Sequence, residues 1–298
     1  MVSTVAVPDR TFAFDRGEKM RIAHLLLMVS LLLSAGCSDR SSVRDGNSRL
    51  LRIKGSDSMY LLVQRWAEAY MRKQKDVSIY VEGGGSGTGI QTLIDGSVDI
   101  CASSRPMTSK EVQQLATRYN SIGVSILGAR DALGIIVHPS NPVAGLSLEE
   151  IKKIYTGEIT SWKEVGGSDH DIIPFSREPN SGTYLYFDEH VLFGAAYARR
   201  CVYAPGARSL VDSVANNPYG IGYGTIAYAQ NVRLVAVNGY SLTAENVRNG
   251  TYPILRYLYL YTVQPPEGAA KNFINWLMSG EGQRIVKENG YIPLYEVN

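Results

Sequence analysis

The sequence is short of three things. Cysteine is scarce: 3 in 298 residues, too few for a scaffold built on disulfides. Net charge is nearly absent. Thirty Lys plus Arg against 28 Asp plus Glu leave a formal charge of +2, which excludes a strongly basic nucleic-acid coat and an acidic disordered tail. Apolar runs are short. The run from Leu25 to Leu33, broken by Ser30, is about half the roughly 20 residues a bilayer-spanning helix needs. What is present points to a folded chain. A hydrophobic content of 45% supports a real core, and the length suits one large or two ordinary domains. Glycine is in surplus, with 29 residues against the usual roughly 7% of a chain.

The short apolar run has its own explanation. Lys19 and Arg21 precede it, and the small residues Ser34, Ala35 and Gly36 follow it, the layout of a secretory signal peptide. Cys37 directly after Ala-Gly resembles a bacterial lipoprotein cleavage box, which implies that Cys37 is the lipidated first residue of the mature chain. Leu33 sits one place further from that Cys than the box prefers. Met20 is a plausible start in place of Met1. Residues 1–36 therefore stand outside the fold, and 37–48 (CSDRSSVRDGNS) read as a flexible tether. Residues 1–36 hold four basic and three acidic residues, so the mature chain keeps a net charge of +1. Cys101 and Cys201 lie in apolar, strand-like runs and are expected as buried free thiols, the alternative being a bond between them, which an oxidising compartment would permit.

Along the mature chain, strand, small-residue loop and helix alternate. LLRIK (50–54), VSIYVE (77–82) and Val98–Ala102 read as strands. Each is followed by a Gly/Ser/Thr loop and a helical pattern, the first helix being 60–74. Ile172–Ser176 and a helix over 184–194 repeat the unit. This alternation predicts an α/β fold with a mostly parallel sheet and loops at the carboxyl ends of the strands. LSLEEIKKIYTG (146–157) reads as a helix stopped by Gly157, GIGYG (220–224) and the VRLVAVNG after it as turns and strand, and 271–290 as two helices split near Gly280. The strands 131–138 and 255–262 are candidates for two crossings between lobes.

Four loops share one chemistry: GSDSM (55–59), GGGSGTG (83–89), SSRPMT (103–108) and REPNSGT (177–183). Each sets unpaired backbone N–H groups and hydroxyls at a helix N-terminus, an arrangement suited to a compact oxyanion. Glycine leaves its amide uncovered. Arg105 and Arg177 lie in the same loops and can grip a tetrahedral anion bidentately. The candidates so placed include Ser56, Asp57, Ser58, Ser86, Gly87, Thr88, Ser104 and Arg105. Any one such loop is more often a plain N-cap; four after successive strands are harder to read that way. Asp57 has two readings. It is a helix N-cap, or it accepts the proton of a hydrogen phosphate and so penalises sulfate, which carries none. Other motifs fail. GGGSGTG lacks the Lys of a nucleotide-binding loop, its spacing is not G-x-G-x-x-G, and Thr88 breaks G-x-S-x-G. His138, His170 and His190 show no metal-ligand spacing, and no candidate nucleophile has a His neighbour in sequence.

At these loops the chain resembles the phosphate-binding proteins of ABC transporters, the PstS family. The resemblance runs from about residue 50 to 295 through GSDSM, GGGSGTGI, DICASSRPM, IYTGEITSWKEVGG, SREPNSGTY, GIGYG and WLMSGEGQRIV. It implies a two-lobed periplasmic-binding-protein fold, each lobe a mixed, mostly parallel sheet flanked by helices, with the ligand in the interlobe cleft. The lobes would be 49–131 with 258–298, and 132–257. It implies phosphate contacts from Asp57, Ser58, Ser86, Ser104, Arg177, Ser181, Gly182 and Thr183. Better-known members carry an Asp where this chain has Ser104, which leaves Asp57 as the acid available to accept a proton. The expectation is a monomeric, lipid-anchored receptor at the periplasm or cell surface. It would capture inorganic phosphate for an ABC permease, with no cofactor, no metal, no nucleic acid and no catalysis. The alternatives are a receptor for sulfate or molybdate, or an exported phosphate-ester hydrolase using a loop serine, against which the missing His partner argues.

Overall fold

The computed structural model describes residues 49–297; the expected signal segment, Cys37 and the tether lie outside the described residues. In chain order the elements are β1 (Arg49–Gly55), α1 (Asp57–Lys73), β2 (Val77–Glu82), α2 (Ser86–Ile94), β3 (Ile100–Ser103), α3 (Ser109–Tyr119), β4 (Val124–Val137), β5 (Gly145–Leu146), α4 (Leu148–Thr156), β6 (Ile173–Arg177), α5 (Gly182–Phe187), β7 (Val202–Ala204), α6 (Ala207–Ala215), β8 (Gly220–Thr225), β9 (Arg233–Val237), α7 (Ala244–Arg248), β10 (Leu255–Thr262), α8 (Gly268–Leu277) and α9 (Gly280–Glu288). After α5 the helix widens into one π-type turn over Asp188–Leu192.

The longest strand organises the rest. β4 alternates half-buried and exposed positions over Val124–Leu127, then is buried without a break from Asp131 to Val137. Alternation marks a strand covered on one face, and a continuous buried run marks one covered on both. The pairing follows this change. Val124–Ala132 lie antiparallel to β10, and Leu133–Val137 lie antiparallel to β8. Beyond β10 the order is β3, β1, β2, with β1 parallel to both neighbours. Beyond β8 come β6 and β7, again parallel. Parallel units are thus joined through an antiparallel middle. β9 extends that middle by pairing with Ile135–Val137 and, in parallel, with β5.

The apolar interior divides at the same place. One cluster gathers Leu51, Ile53, Leu62, Trp66, Ala129, Leu258, Phe273 and Val286 from β1, α1, β10, α8, α9 and the first part of β4. Another gathers Leu133, Ile135, Ile154, Trp162, Phe187, Ile221 and Val235 from the second part of β4 and the elements after it. Fully burying one such side chain contributes roughly 1.5–3 kcal/mol. Each cluster therefore has enough apolar mass to hold its own layer.

Local signals set several boundaries. Ser147 and Glu150 form a capping box at the start of α4, and Gly157 ends it in the left-handed conformation at φ 86°. Thr108 and Glu111 form the same box at α3. Each box is worth about 1 kcal/mol. Two helices begin earlier than their apolar periodicity predicts: α1 at Asp57 rather than Tyr60, and α2 at Ser86 inside the Gly-rich run. Ser, Gly and Thr are poor helix formers in an interior but are tolerated in a first turn, whose amides lack helical partners in any case. GIGYG is wholly strand: a Cβ on Gly222 would lie 2.7 Å from both Leu210 Cδ2 and Val214 Cγ2 of α6, so glycine there lets helix and sheet close up.

Cys101 and Cys201 are free and buried. Burial pushes the Cys201 thiol up to about 11 and raises Cys101 further. Neither thiol is therefore a thiolate near neutral pH. We expect both to resist iodoacetamide at pH 7.5 in the native protein and to react fully in guanidinium, as read by peptide mass spectrometry. Alkylation of either in the folded protein would contradict this packing.

Candidate functional site

The four small-residue loops follow β1, β2, β3 and β6, and the sheet brings them to one place. The first step is a close approach of backbones. Gly55 ends β1 at φ 152°, and a Cβ there would stand 1.9 Å from the carbonyl oxygen of Ala102 on β3. Ser56 can then donate its amide to that carbonyl at 2.8 Å. Its side chain caps nothing, although it is the N-cap of α1.

Asp57 is the first helical residue, so the N-cap reading of this acid does not hold. Its Oδ1 accepts the Gly84 amide at 2.7 Å, and its Oδ2 accepts Arg177 Nη2 at 2.5 Å. The Arg177 side chain is 2% exposed. Its Nε and Nη2 also donate to the carbonyls of Ala204 and Pro205 at 3.3 and 3.1 Å. Among the described residues Nη1 has no partner. A buried guanidinium needs a counter-charge, and Asp57 supplies it from 120 residues away in sequence.

The hydroxyls of the loops pair with one another. Ser58 Oγ and Thr183 Oγ1 are 2.8 Å apart and buried. Ser86 Oγ accepts the Ser104 amide at 3.1 Å and lies 3.3 Å from Ser104 Oγ. Ser181 caps α5, accepting the amides of Thr183 and Tyr184 at 3.2 and 3.4 Å. Gly182 abuts Ser86 and Ser104 directly. Gly87 donates its amide to the Asn180 carbonyl at 2.9 Å, and Thr88 Oγ1 accepts Asn180 Nδ2 at 3.4 Å. Expected residues of all four loops thus contact one another through their hydroxyls and backbones.

Arg105 behaves differently. It is buried and near the Gly-rich loop, but Nη1 and Nη2 clasp Glu111 at 2.8 and 2.7 Å, and Nη1 also donates to the Pro106 carbonyl at 2.8 Å. Burial raises the Glu111 carboxyl, yet the Arg105 and Thr108 hydrogen bonds outweigh it and leave it below the usual carboxylate range. Arg105 therefore braces the start of α3, and only its Nε is left without a partner.

Several neighbours were not legible from the loops. Asn180 ties the Gly-rich loop to the β6–α5 loop. Tyr228 donates to the Asp57 carbonyl at 3.0 Å, and Tyr291 to the Ser58 carbonyl at 2.6 Å. Ser176, one residue before Arg177, bonds Tyr223 at 2.7 Å, and burial pushes the Tyr223 hydroxyl up to about 12. Most telling is an ion pair across β4 and β10. Arg256 reaches Asp131 Oδ2 through Nε at 3.0 Å and Nη2 at 2.7 Å, and its Nη1 donates to Thr183 Oγ1 at 3.0 Å. Charged residues inside two largely apolar strands, Arg130 and Asp131 on β4 and Arg256 on β10, were the available signal, since such charges are buried only when paired.

The histidines stay elsewhere. His138 bonds Ser140, His170 stacks on Tyr219 and His190 stacks on Tyr186. Among the described residues no group of His, Cys, Asp and Glu is arranged to hold a metal ion, and no helix is long and apolar enough to cross a membrane.

The chain was compared with known proteins. The model of the PBP superfamily domain matches residues 41–281. The phosphate-binding protein PstS of Bacillus subtilis is 32% identical over 294 residues, covering 94% of this chain and 96% of that protein. PstS of Pseudomonas aeruginosa is 31% identical over 272 residues, 84% of each chain. Among solved structures, a putative phosphate ABC transporter substrate-binding protein with bound phosphate from Clostridium perfringens is 33% identical, with a TM-score of 0.77 over 83% of this chain and 100% of that one. An ABC-type phosphate transport receptor from Vibrio cholerae is 28% identical, with a TM-score of 0.67 over 81% and 99%. The segregated cores, the loops gathered at strand ends and these matches agree: the chain has the two-lobed periplasmic-binding-protein fold and belongs to the PBP superfamily, within its PstS family of phosphate-binding proteins.

Proposed function

We propose that this protein captures inorganic phosphate between its lobes and delivers it to an ABC permease, without a covalent step. One observation carries the reading: Ser58 pairs with Thr183 and Ser86 with Ser104 through their hydroxyls, Gly182 beside Thr183 abuts the second pair, and Asp57 beside Ser58 holds the buried guanidinium of Arg177. Hydroxyls and amides replace the hydration shell of an oxyanion while adding no net charge, and Arg177 Nη1 supplies the charge-assisted contact. Asp57 offsets Arg177 and offers an acceptor for the proton of hydrogen phosphate. Sulfate lacks that proton and would meet the carboxylate unprotected. In this reading the lobes are 49–131 with 258–298, and 132–257, hinged where β4 and β10 pass between them. Asp57 and Ser58 then belong to one lobe and Arg177 and Thr183 to the other, so the ligand would hold them together. In the same reading the apolar run before Cys37 is an export signal, which supports a receptor outside the cytoplasm, held by a lipid on that cysteine and working as a monomer.

Isothermal titration tests the ligand. Phosphate should give saturable heat, with sulfate and molybdate far weaker; tighter binding of either would overturn the assignment. Arg177→Ala removes a charged hydrogen bond worth about 3 kcal/mol, so the Kd should rise roughly 100-fold. Asp57→Asn should narrow the gap between phosphate and sulfate, and an unchanged ratio would remove Asp57 from selectivity. A Cβ on Gly182 would come within 2.3 Å of Ser86 Oγ and 2.6 Å of Ser104 Oγ. Gly182→Ala should therefore wedge the loops apart and weaken phosphate more than tenfold, while each lobe keeps its circular dichroism signal.

A further inference from the structure

The Asp131–Arg256 pair raises a question of purpose. Both side chains are buried, at 0% and 2% exposure. A buried ion pair is weak evidence for stability, because desolvating two charges can offset their attraction. The pair is nevertheless fully furnished. Thr225 donates to the remaining Asp131 oxygen at 2.7 Å, and the Tyr186 ring covers the guanidinium with its centroid 5.8 Å from Cζ. The guanidinium divides its work. Nε and Nη2 hold Asp131, which lies directly opposite on β4, and Nη1 alone reaches out to Thr183 in the first turn of α5.

A threonine hydroxyl has one proton and two lone pairs, and a guanidinium only donates. The bond from Arg256 therefore occupies an acceptor site of Thr183 Oγ1. The hydroxyl proton must then leave in another direction, toward Ser58 Oγ or toward a ligand between them. We propose that Arg256 is a positioning residue of the anion site. Held by Asp131 and Thr225, it occupies one of the two acceptor sites of Thr183 Oγ1 and turns the hydroxyl toward donating, so that Thr183 favours an unprotonated oxygen of the bound ion. The inference rests on the oxyanion-binding reading above and adds a direction to one of its contacts.

A double-mutant cycle tests it. Lysine at 256 keeps the charge beside Asp131 but gathers its donors on one nitrogen where arginine spreads them over a fork, so it cannot hold Asp131 and reach Thr183 in the arginine's geometry. Arg256→Lys should raise the phosphate Kd about tenfold, and Thr183→Val at least as much. The double variant should bind no worse than Thr183→Val alone, within a factor of about two, because the arginine acts through the hydroxyl it positions. Thr183→Ser, which restores a hydroxyl, should restore the sensitivity to Arg256→Lys. Multiplying effects in the double variant, or unchanged binding in Arg256→Lys, would overturn the proposal. Should Arg256→Lys fail to fold, Thr225→Val loosens the same assembly without stranding a charge. It should weaken binding in the wild-type background and not in Thr183→Val; equal weakening in both would overturn the proposal as well. The cycle uses whichever oxyanion the wild-type protein binds. Sulfate or molybdate in place of phosphate removes only the phosphate assignment, whereas a folded wild type that binds no oxyanion removes both.

Discussion

The antiparallel pairing of β4 with β10 is the constraint on which the molecule depends. It runs from Leu255 opposite Ala132 to Thr262 opposite Val124, with one bulge at Leu258–Tyr259. Everything on one side of it is built from parallel strands feeding helices, and so is everything on the other. Parallel strands need crossovers, and these crossovers put helix N-termini at strand ends. The two sets of loops can meet only because this pairing holds both sheets in one register. That register also sets Asp131 against Arg256.

The electrostatics are local. Two buried arginines, Arg177 and Arg256, each have a buried or half-buried aspartate within hydrogen-bond distance, so the neighbourhood of the hydroxyl cluster carries little net charge. The whole sequence shows the same balance at +2. In the reading proposed above, attraction for an anion would come from oriented dipoles: free first-turn amides and the loop hydroxyls. Such a site gains less from long-range attraction than a basic surface does. It depends more on the geometry of donors that are already in place, and loop glycines that let backbones touch are part of that geometry.

Much of this was legible in the sequence. The alternation of strand, loop and helix gave the layered α/β order, and Gly157 marked the end of α4, although its start lies at Leu148, after the Leu146 from which the sequence pattern began it. Arg177, Ser181 and Thr183 could be picked out together because a single loop carries them. Pairs joined by sheet register were not legible. Asp131 and Arg256 are 125 residues apart, and only the folded pairing makes them neighbours. Asn180 was hidden for a related reason: its carbonyl and amide act on another loop, and no local spacing reports that. Arg105 shared a loop with the candidate anion ligands, but the capping glutamate six residues on claims it. The early starts of α1 and α2 escaped because apolar periodicity begins a turn after the helix does, where side chains first meet the core.

Each core has its own fully buried tryptophan. Trp66 donates its indole N–H to the Gly282 carbonyl at 2.8 Å, and Trp162 donates to that of Tyr219 at 2.9 Å. Both rings sit in apolar clusters with no polar group left unsatisfied on the indole. Their emission is thus tuned by the packing of one core apiece. The partly buried Trp276 packs against the first core as well, so tryptophan emission reports the integrity of both halves, with two indoles in one and one in the other.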